Sequence, residues 1–224
     1  MPDNIHLLAL DTCGPTGSVA LGHFSNGQLT ILGSTQLAGR SFSATLVKAI
    51  GDLLAAASLE LSQLKAMVVV HGPGSFTGVR VGLSAAMGLA EGASLPVLTL
   101  TRLEVLASLG KAEAAALDAH RQEIFLRLAE SAGGRELLAG SEDLAALAAP
   151  ASLLYCEDAA SVLVAANWPA TELIKVAEPT ASDALALALP RVLAAEFTLP
   201  ELLDGHYLRR SDAEIYAEPG AVRP

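Results

Sequence analysis

Apolar residues along the chain fall into two patterns. Short, nearly unbroken runs alternate with stretches in which they recur every three or four positions, as strands interleaved with helices require. Residues 5–12 form the first run and read as a buried strand. A CGPTG turn at 13–17 leads to a second strand at 18–24, and the SNG turn at 25–27 leads to a third at 29–36, a three-stranded meander. Phe42, Leu46, Val47, Ile50, Leu53, Leu54 and Ala57 then take helical spacing with one face inward. Residues 64–70 end in three valines that leave no polar face, so this strand is expected to be buried on both sides. A glycine loop, a helix at 79–92, a strand at 95–100 and a capping-box sequence, TRLE at 101–104, complete the first half.

The pattern then restarts. Residues 114–118 are apolar and end in Asp118, as 7–11 end in Asp11. Turns at 120–122 and 131–135 flank a strand at 123–129. Helix-prone stretches at 142–149 and 158–166 enclose a strand at 152–156, and a further strand at 173–177 precedes a helix at 180–197 that Pro190 kinks or splits. Meander, helix, strand, helix followed by a shorter version of the same order predicts a duplicated α/β fold of two mixed sheets flanked by helices, the actin-like and Hsp70-like (ASKHA) architecture. The expected division is 1–105 and 106–224, with the C-terminal helix packing back on the first half.

Composition narrows the function. The 224 residues carry a net charge of -10 and 17% charged residues, a balance that argues against an extended direct grip on nucleic acid. Hydrophobic residues make up 52% and aromatics only 4%, so the core is built from Ala, Leu and Val. The mean hydropathy is +0.45, but polar or charged residues interrupt every apolar stretch of spanning length. The first residues, MPDNIHLLAL, lack the basic region of a secretory signal, and the expected location is cytoplasmic. Cys13 and Cys156 fit neither a metal spacing nor a disulfide framework.

The chemistry, if any, centres on HGPGSFTGVRVGLS at 71–84. A nucleotide-binding P-loop would need a lysine after Gly78, where Val79-Arg80-Val81 stands. A dinucleotide fingerprint would need a different glycine spacing and an acid ending the next strand, which here ends Thr99-Leu100-Thr101. A nucleophile elbow around Ser75 would need glycine in place of Pro73. Asp11, Gly14 and Thr16 are candidates for phosphate and metal at the end of the first strand, although the same residue types suit a plain turn cap. On the helix after the loop, small residues recur every fourth position in two stripes: Gly78, Gly82, Ala86 and Ser84, Gly88, Gly92. Either stripe admits a second backbone at close range, from this chain's own sheet or from another protein.

HGPGSFTGVRVGLSAAMGLAEG closely resembles the signature loop and helix of the TsaB (YeaZ) family. LALDTCGPTGSVAL, LDAHRQEIFLRL and GHYLRRSDAE resemble further family segments in the same order. The resemblance implies an inactive paralogue of TsaD, the subunit that transfers a threonylcarbamoyl group to adenosine 37 of tRNA. Its implied partners are a TsaD-like catalytic subunit and a TsaE-like ATPase, with tRNA met only through the complex and a homodimer when the chain is alone. ATP and a metal would be used by the partners and no cofactor by this chain. The paired-histidine motif of TsaD is missing from GRSFSATLVKAI, and the five histidines are scattered. By carry-over, the partner interface is expected on the helices at 42–57 and 79–92, through Phe42, Leu46, Ser75, Phe76, Thr77, Gly78, Arg80, Val81, Gly82, Ala85, Ala86 and Leu89. The rival reading is a small sugar- or acyl-kinase-like phosphotransferase working with Asp11 and Asp118 across a cleft. A peptidase would need a metal motif or a nucleophile–base set, and the sequence offers neither.

Overall fold

A computed structural model describes residues 4–38, 41–130 and 134–209. The first sheet holds β1 (Asn4–Asp11), β2 (Thr16–Ser25), β3 (Gln28–Ala38), β4 (Leu64–Val70) and β5 (Val97–Leu100), in the order β3-β2-β1-β4-β5. The meander β1–β2–β3 is antiparallel, whereas β4 and β5 add in parallel after helical crossovers. Asn26 and Gly27 both take positive φ, the backbone that a tight two-residue hairpin needs.

The second sheet repeats this plan with β6 (Ala114–Asp118), β7 (Ile124–Leu128), β8 (Arg135–Ala139), β9 (Ser152–Tyr155) and β10 (Glu172–Lys175). Its order β8-β7-β6-β9-β10 has the same antiparallel and parallel pairings. This is the duplicated actin-like α/β fold. The sequence pattern missed β8, because RELLA has helix-forming letters and its strand state comes only from pairing with β7. Residues 131–133 of the turn expected at 131–135, and the end of the GHYLRRSDAE segment from residue 210, lie outside the described residues.

Helices α1 (Phe42–Ala56) and α2 (Phe76–Ala93) pack side by side on the first sheet. α2 starts three residues earlier than its apolar spacing suggests, because the Ser75 hydroxyl accepts the Gly78 N–H at 3.2 Å and caps it. The other face of this sheet is covered by α6 (Ala181–Leu193), through Ala184, Leu185, Ala188 and Val192. Pro190 stays within α6, which ends at Leu193 rather than running to 197.

In the second sheet, alternation assigns each face. Ala115 and Leu117 pack on Leu103 and Leu106 of α3 (Arg102–Ser108), while Ala114 and Ala116 face α4 (Ser141–Ala146) and α5 (Asp158–Asn167). Trp168 follows α5 and fills the latter side, its indole N–H donating to the Leu144 carbonyl at 2.9 Å. No described helix is long and apolar enough to cross a membrane.

Candidate functional site

The two sheets point the C-terminal ends of β1 and β6 at one cleft of about 990 Å³. Its walls include Gly14, Phe42 and Phe76 from the first half and Asp118, His120 and Glu157 from the second. Asp11 does not line it. That carboxylate is buried and accepts the Cys13 N–H at 2.8 Å, closing the turn after β1. Burial raises its pKa, against the opposing pull of the Arg102 guanidinium. Gly14 reaches the cleft, and a Cβ there would stand 2.7 Å from Arg102 Nη2. Thr16 is exposed at the start of β2 and is not part of the cleft wall.

Arg102 is the residue that sequence reading passed over. It is 3% exposed, its backbone N–H donates to the Gly72 carbonyl at 2.6 Å, and Nη1 donates to Glu157 Oε1 at 3.2 Å. Glu157 in turn accepts the Asp118 N–H at 2.5 Å. Burial works to lower the Arg102 pKa, but Asp11 and Glu157 outweigh it and leave it raised. One guanidinium thus neutralises carboxylates from both halves. The only sequence signal was its place directly after Thr101, whose capping box with Glu104 does form.

A second polar cluster stands beside the cleft. Glu136 Oε1 accepts from Thr101 Oγ1 at 2.6 Å and from Arg127 Nη1 at 2.8 Å, and Oε2 lies 2.9 Å from His206 Nε2. Burial works upward on the Glu136 carboxyl, but these partners outweigh it and hold it below its ordinary value. His206 belongs to a strap, residues 204–209, that bridges the halves. Its N–H donates to the His71 carbonyl at 2.7 Å, His71 Nδ1 donates to the Asp204 carbonyl at 2.9 Å, and Arg209 pairs with Glu123. The Tyr207 ring tilts against Phe76 with their centroids 4.9 Å apart, and the Arg80 guanidinium lies over the Phe76 ring at 3.8 Å.

The candidate interface residues divide sharply. Phe42 and Leu46 are in the core. The stripe of Gly78, Gly82 and Ala86 faces inward: the Thr12 hydroxyl donates to the Gly78 carbonyl at 2.6 Å, and a Cβ on Gly82 would collide with Thr12 Oγ1. Close backbone approach is real here, but the backbone approached is the chain's own. Val81, Ala85, Leu89 and Phe76 are half-buried, and Ser75, Thr77 and Arg80 are exposed. Outward, α2 presents the other stripe, with Ser84, Met87 and Gly88 exposed, and α1 adds Ala44, Val47 and Gly51. Gly88 and Gly51 have open space where a side chain would be. Among the described residues no three His, Cys, Asp or Glu side chains group to hold a metal ion.

Comparison with known proteins places this geometry in context. Residues 35–197 match the family described as TsaD: tRNA N6-adenosine threonylcarbamoyltransferase. Over 128 residues the chain is 41% identical to the tRNA threonylcarbamoyladenosine biosynthesis protein TsaB of Haemophilus influenzae, covering 54% of this chain and 52% of that protein. The Escherichia coli protein of the same name is 35% identical over 103 residues, 46% of this chain and 43% of that one. The chain thus spans about half the length of the curated relatives it matches. Among solved structures, YeaZ from Pseudomonas aeruginosa superposes with a TM-score of 0.72 at 28% identity, over 91% of this chain and 100% of that one.

Proposed function

Because this chain belongs to the TsaB (YeaZ) family, we propose that it is the noncatalytic partner subunit of the machinery that forms N6-threonylcarbamoyladenosine at position 37 of tRNA. Its role in this reading is to stabilise and orient a TsaD-like catalytic subunit in the cytoplasm. A TsaE-like ATPase completes the assembly, and tRNA is met through the complex. The observation that carries the reading is the outward face of α1 and α2. Ala44, Val47, Gly51, Ser84, Met87 and Gly88 put small and apolar residues outward on two adjacent helices, beside the exposed charges of Lys48, Asp52, Arg80 and Glu91, and Val47 and Met87 are 58% and 44% exposed. Such a face lets the helices of another subunit pack at close range.

The noncatalytic part of the proposal draws support from Asp11. A phosphotransferase needs its acid at the phosphate, whereas this carboxylate is spent on the Cys13 amide and on Arg102. The experiment has two arms. Met87→Lys and Gly88→Trp should leave the thermal transition intact and abolish capture of the TsaD-like subunit. The isolated chain should release no phosphate from ATP and Mg²⁺. Wild-type capture by both variants would overturn the interface, and turnover lost in Asp11→Asn would favour the kinase-like alternative.

A further inference from the structure

Two helices begin at the cleft. Phe42 opens α1 and Phe76 opens α2, and both residues stand on the cleft wall. The start of a helix carries about half a positive charge, which an acid in the first turn ordinarily offsets. α3, α4, α5 and α6 each have such an acid: Glu104, Glu142, Asp158 and Asp183. α1 and α2 have none. In α2 the Ser75 N–H donates to the Cys13 carbonyl at 2.8 Å and the Gly78 N–H to the Ser75 hydroxyl, while the N–H groups of Phe76 and Thr77 meet no acceptor among the described residues.

Arg80 adds a cation where the helix is already positive. It lies one turn into α2, and its guanidinium folds back over the Phe76 ring, toward the N-terminal end. It makes no ion pair among the described residues. The acids on the cleft wall belong to the second half and are engaged there: Asp118 lies 2.9 Å from His120 Nδ1, and Glu157 takes Arg102. Arg102 lines the same cleft, and its buried Nε has no hydrogen-bond partner among the described residues. Two helix starts, an arginine without a carboxylate and an orphaned N–H thus gather in one cleft of a chain whose net charge is -10. Like charges brought together cost free energy, and a bound anion offsets that cost.

We propose that the cleft binds a small organic anion, its carboxylate or phosphate head held by the N-terminus of α2 and by Arg80, and its flat apolar body laid against the aromatic wall. The head is an oxyanion because backbone N–H groups at a helix start and a planar guanidinium both suit one. The body is flat and apolar because, of the chain's five Phe, three Tyr and one Trp, four stand on this wall: Phe42, Phe76, Phe125 and Tyr207. The volume of about 990 Å³ is that of a small-molecule site. The proposal stands apart from the partner-subunit reading, because the cleft is distinct from the outward face of α1 and α2 and is tested on the chain alone.

The test is isothermal titration calorimetry of the full chain with phenyl phosphate, benzoate, inorganic phosphate and benzyl alcohol, which separate head from body. Phenyl phosphate or benzoate should bind at one per chain, about fivefold or more tighter than inorganic phosphate or benzyl alcohol. Whichever of the two binds tighter identifies the head group. Arg80→Gln should weaken that binding about fivefold or more with an unchanged thermal transition. Thr77→Glu places the missing acid in the first turn of α2, at an exposed position, and should raise the thermal transition while excluding the anion. No saturable heat with either aromatic anion, equal affinity for inorganic phosphate or benzyl alcohol, or wild-type affinity in a folded Arg80→Gln or Thr77→Glu chain would each overturn the proposal.

Discussion

Asp11 and Asp118 make the same capping bond at the ends of equivalent strands in two different sheets. Each carboxylate accepts the N–H of the residue two positions on, Cys13 and His120, and the distance is 2.8 Å in both. The turns themselves differ, since His120, Arg121 and Gln122 take positive φ and no residue from Thr12 to Pro15 does, and so do their surroundings. Asp11 is sealed against Arg102, while Asp118 keeps one oxygen 2.9 Å from the exposed His120 ring. The duplication thus survives in the aspartate cap after the two sites have diverged in backbone and in charge.

That divergence makes Arg102 the electrostatic centre of the molecule. Arg102→Met keeps the approximate volume but leaves the carboxylates of Asp11 and Glu157 without their cation. Breaking a buried ion pair from one side costs about 3–5 kcal/mol, and urea unfolding should show a loss of that size. Adding Asp11→Asn and Glu157→Gln should recover most of it, since no unpaired charge then remains. A single Arg102→Met variant as stable as wild type would contradict this account.

Two glycines on α2 should respond in opposite directions. Gly82→Ala puts a methyl group into Thr12 Oγ1, and overpacking of this kind costs roughly 1–3 kcal/mol. Gly88→Ala meets nothing within 4 Å and should stabilise the helix by up to about 1 kcal/mol. Thermal melting of the pair checks both signs at once.

Stability should fall in two steps as the solution is acidified. Burial lowers the His71 pKa from its ordinary 6.5, so the unfolded chain takes up that proton first and stability declines as pH falls through this value. Glu136 is held below its ordinary 4.5, so the stability its partners supply is complete above that value and is lost as pH falls through its folded pKa. His71→Asn can still donate to the Asp204 carbonyl and should remove its share of the upper step, leaving that of His6, whose pKa is lowered too. Glu136→Gln should remove the lower step. Unfolding free energies measured across this range test both.

Neither thiol should react in the native protein. Burial pushes Cys156 up to about 12 and Cys13 well above its ordinary value, so almost no thiolate is present at mildly alkaline pH. Iodoacetamide should label both only after denaturation, and mass spectrometry of native protein should show no adduct. Prompt alkylation of either residue would contradict the raised thiol pKa that its surroundings give it.

Much of the architecture was legible in residue patterns. The valines ending β4 announced a strand buried on both faces, and Asn26-Gly27 announced a hairpin. Thr101 and Glu104 marked the start of α3, and the return of an apolar run ending in aspartate marked the duplication. The site was harder to read because its logic is non-local. Arg102 is buried only because Asp11 and Glu157, 91 and 55 positions away, converge on it. Spacing of four likewise fits both small-residue stripes of α2, and only Thr12 decides which one turns inward. β8 escaped for a related reason: its five residues favour a helix until β7 supplies a partner.

The exchange of helices between the halves has a consequence for synthesis. α6 covers the face of the first sheet opposite α1 and α2, and the Ala181 N–H donates to Ser18 Oγ at 2.8 Å, yet α6 is the last helix made. All five strands of that sheet exist once Leu100 has been added, while their cover is complete only at Leu193. At a typical 5–20 residues per second, translation leaves this apolar face bare for roughly 5–20 s. During that interval the nascent chain presents a sheet whose apolar face stays open until the last helix arrives.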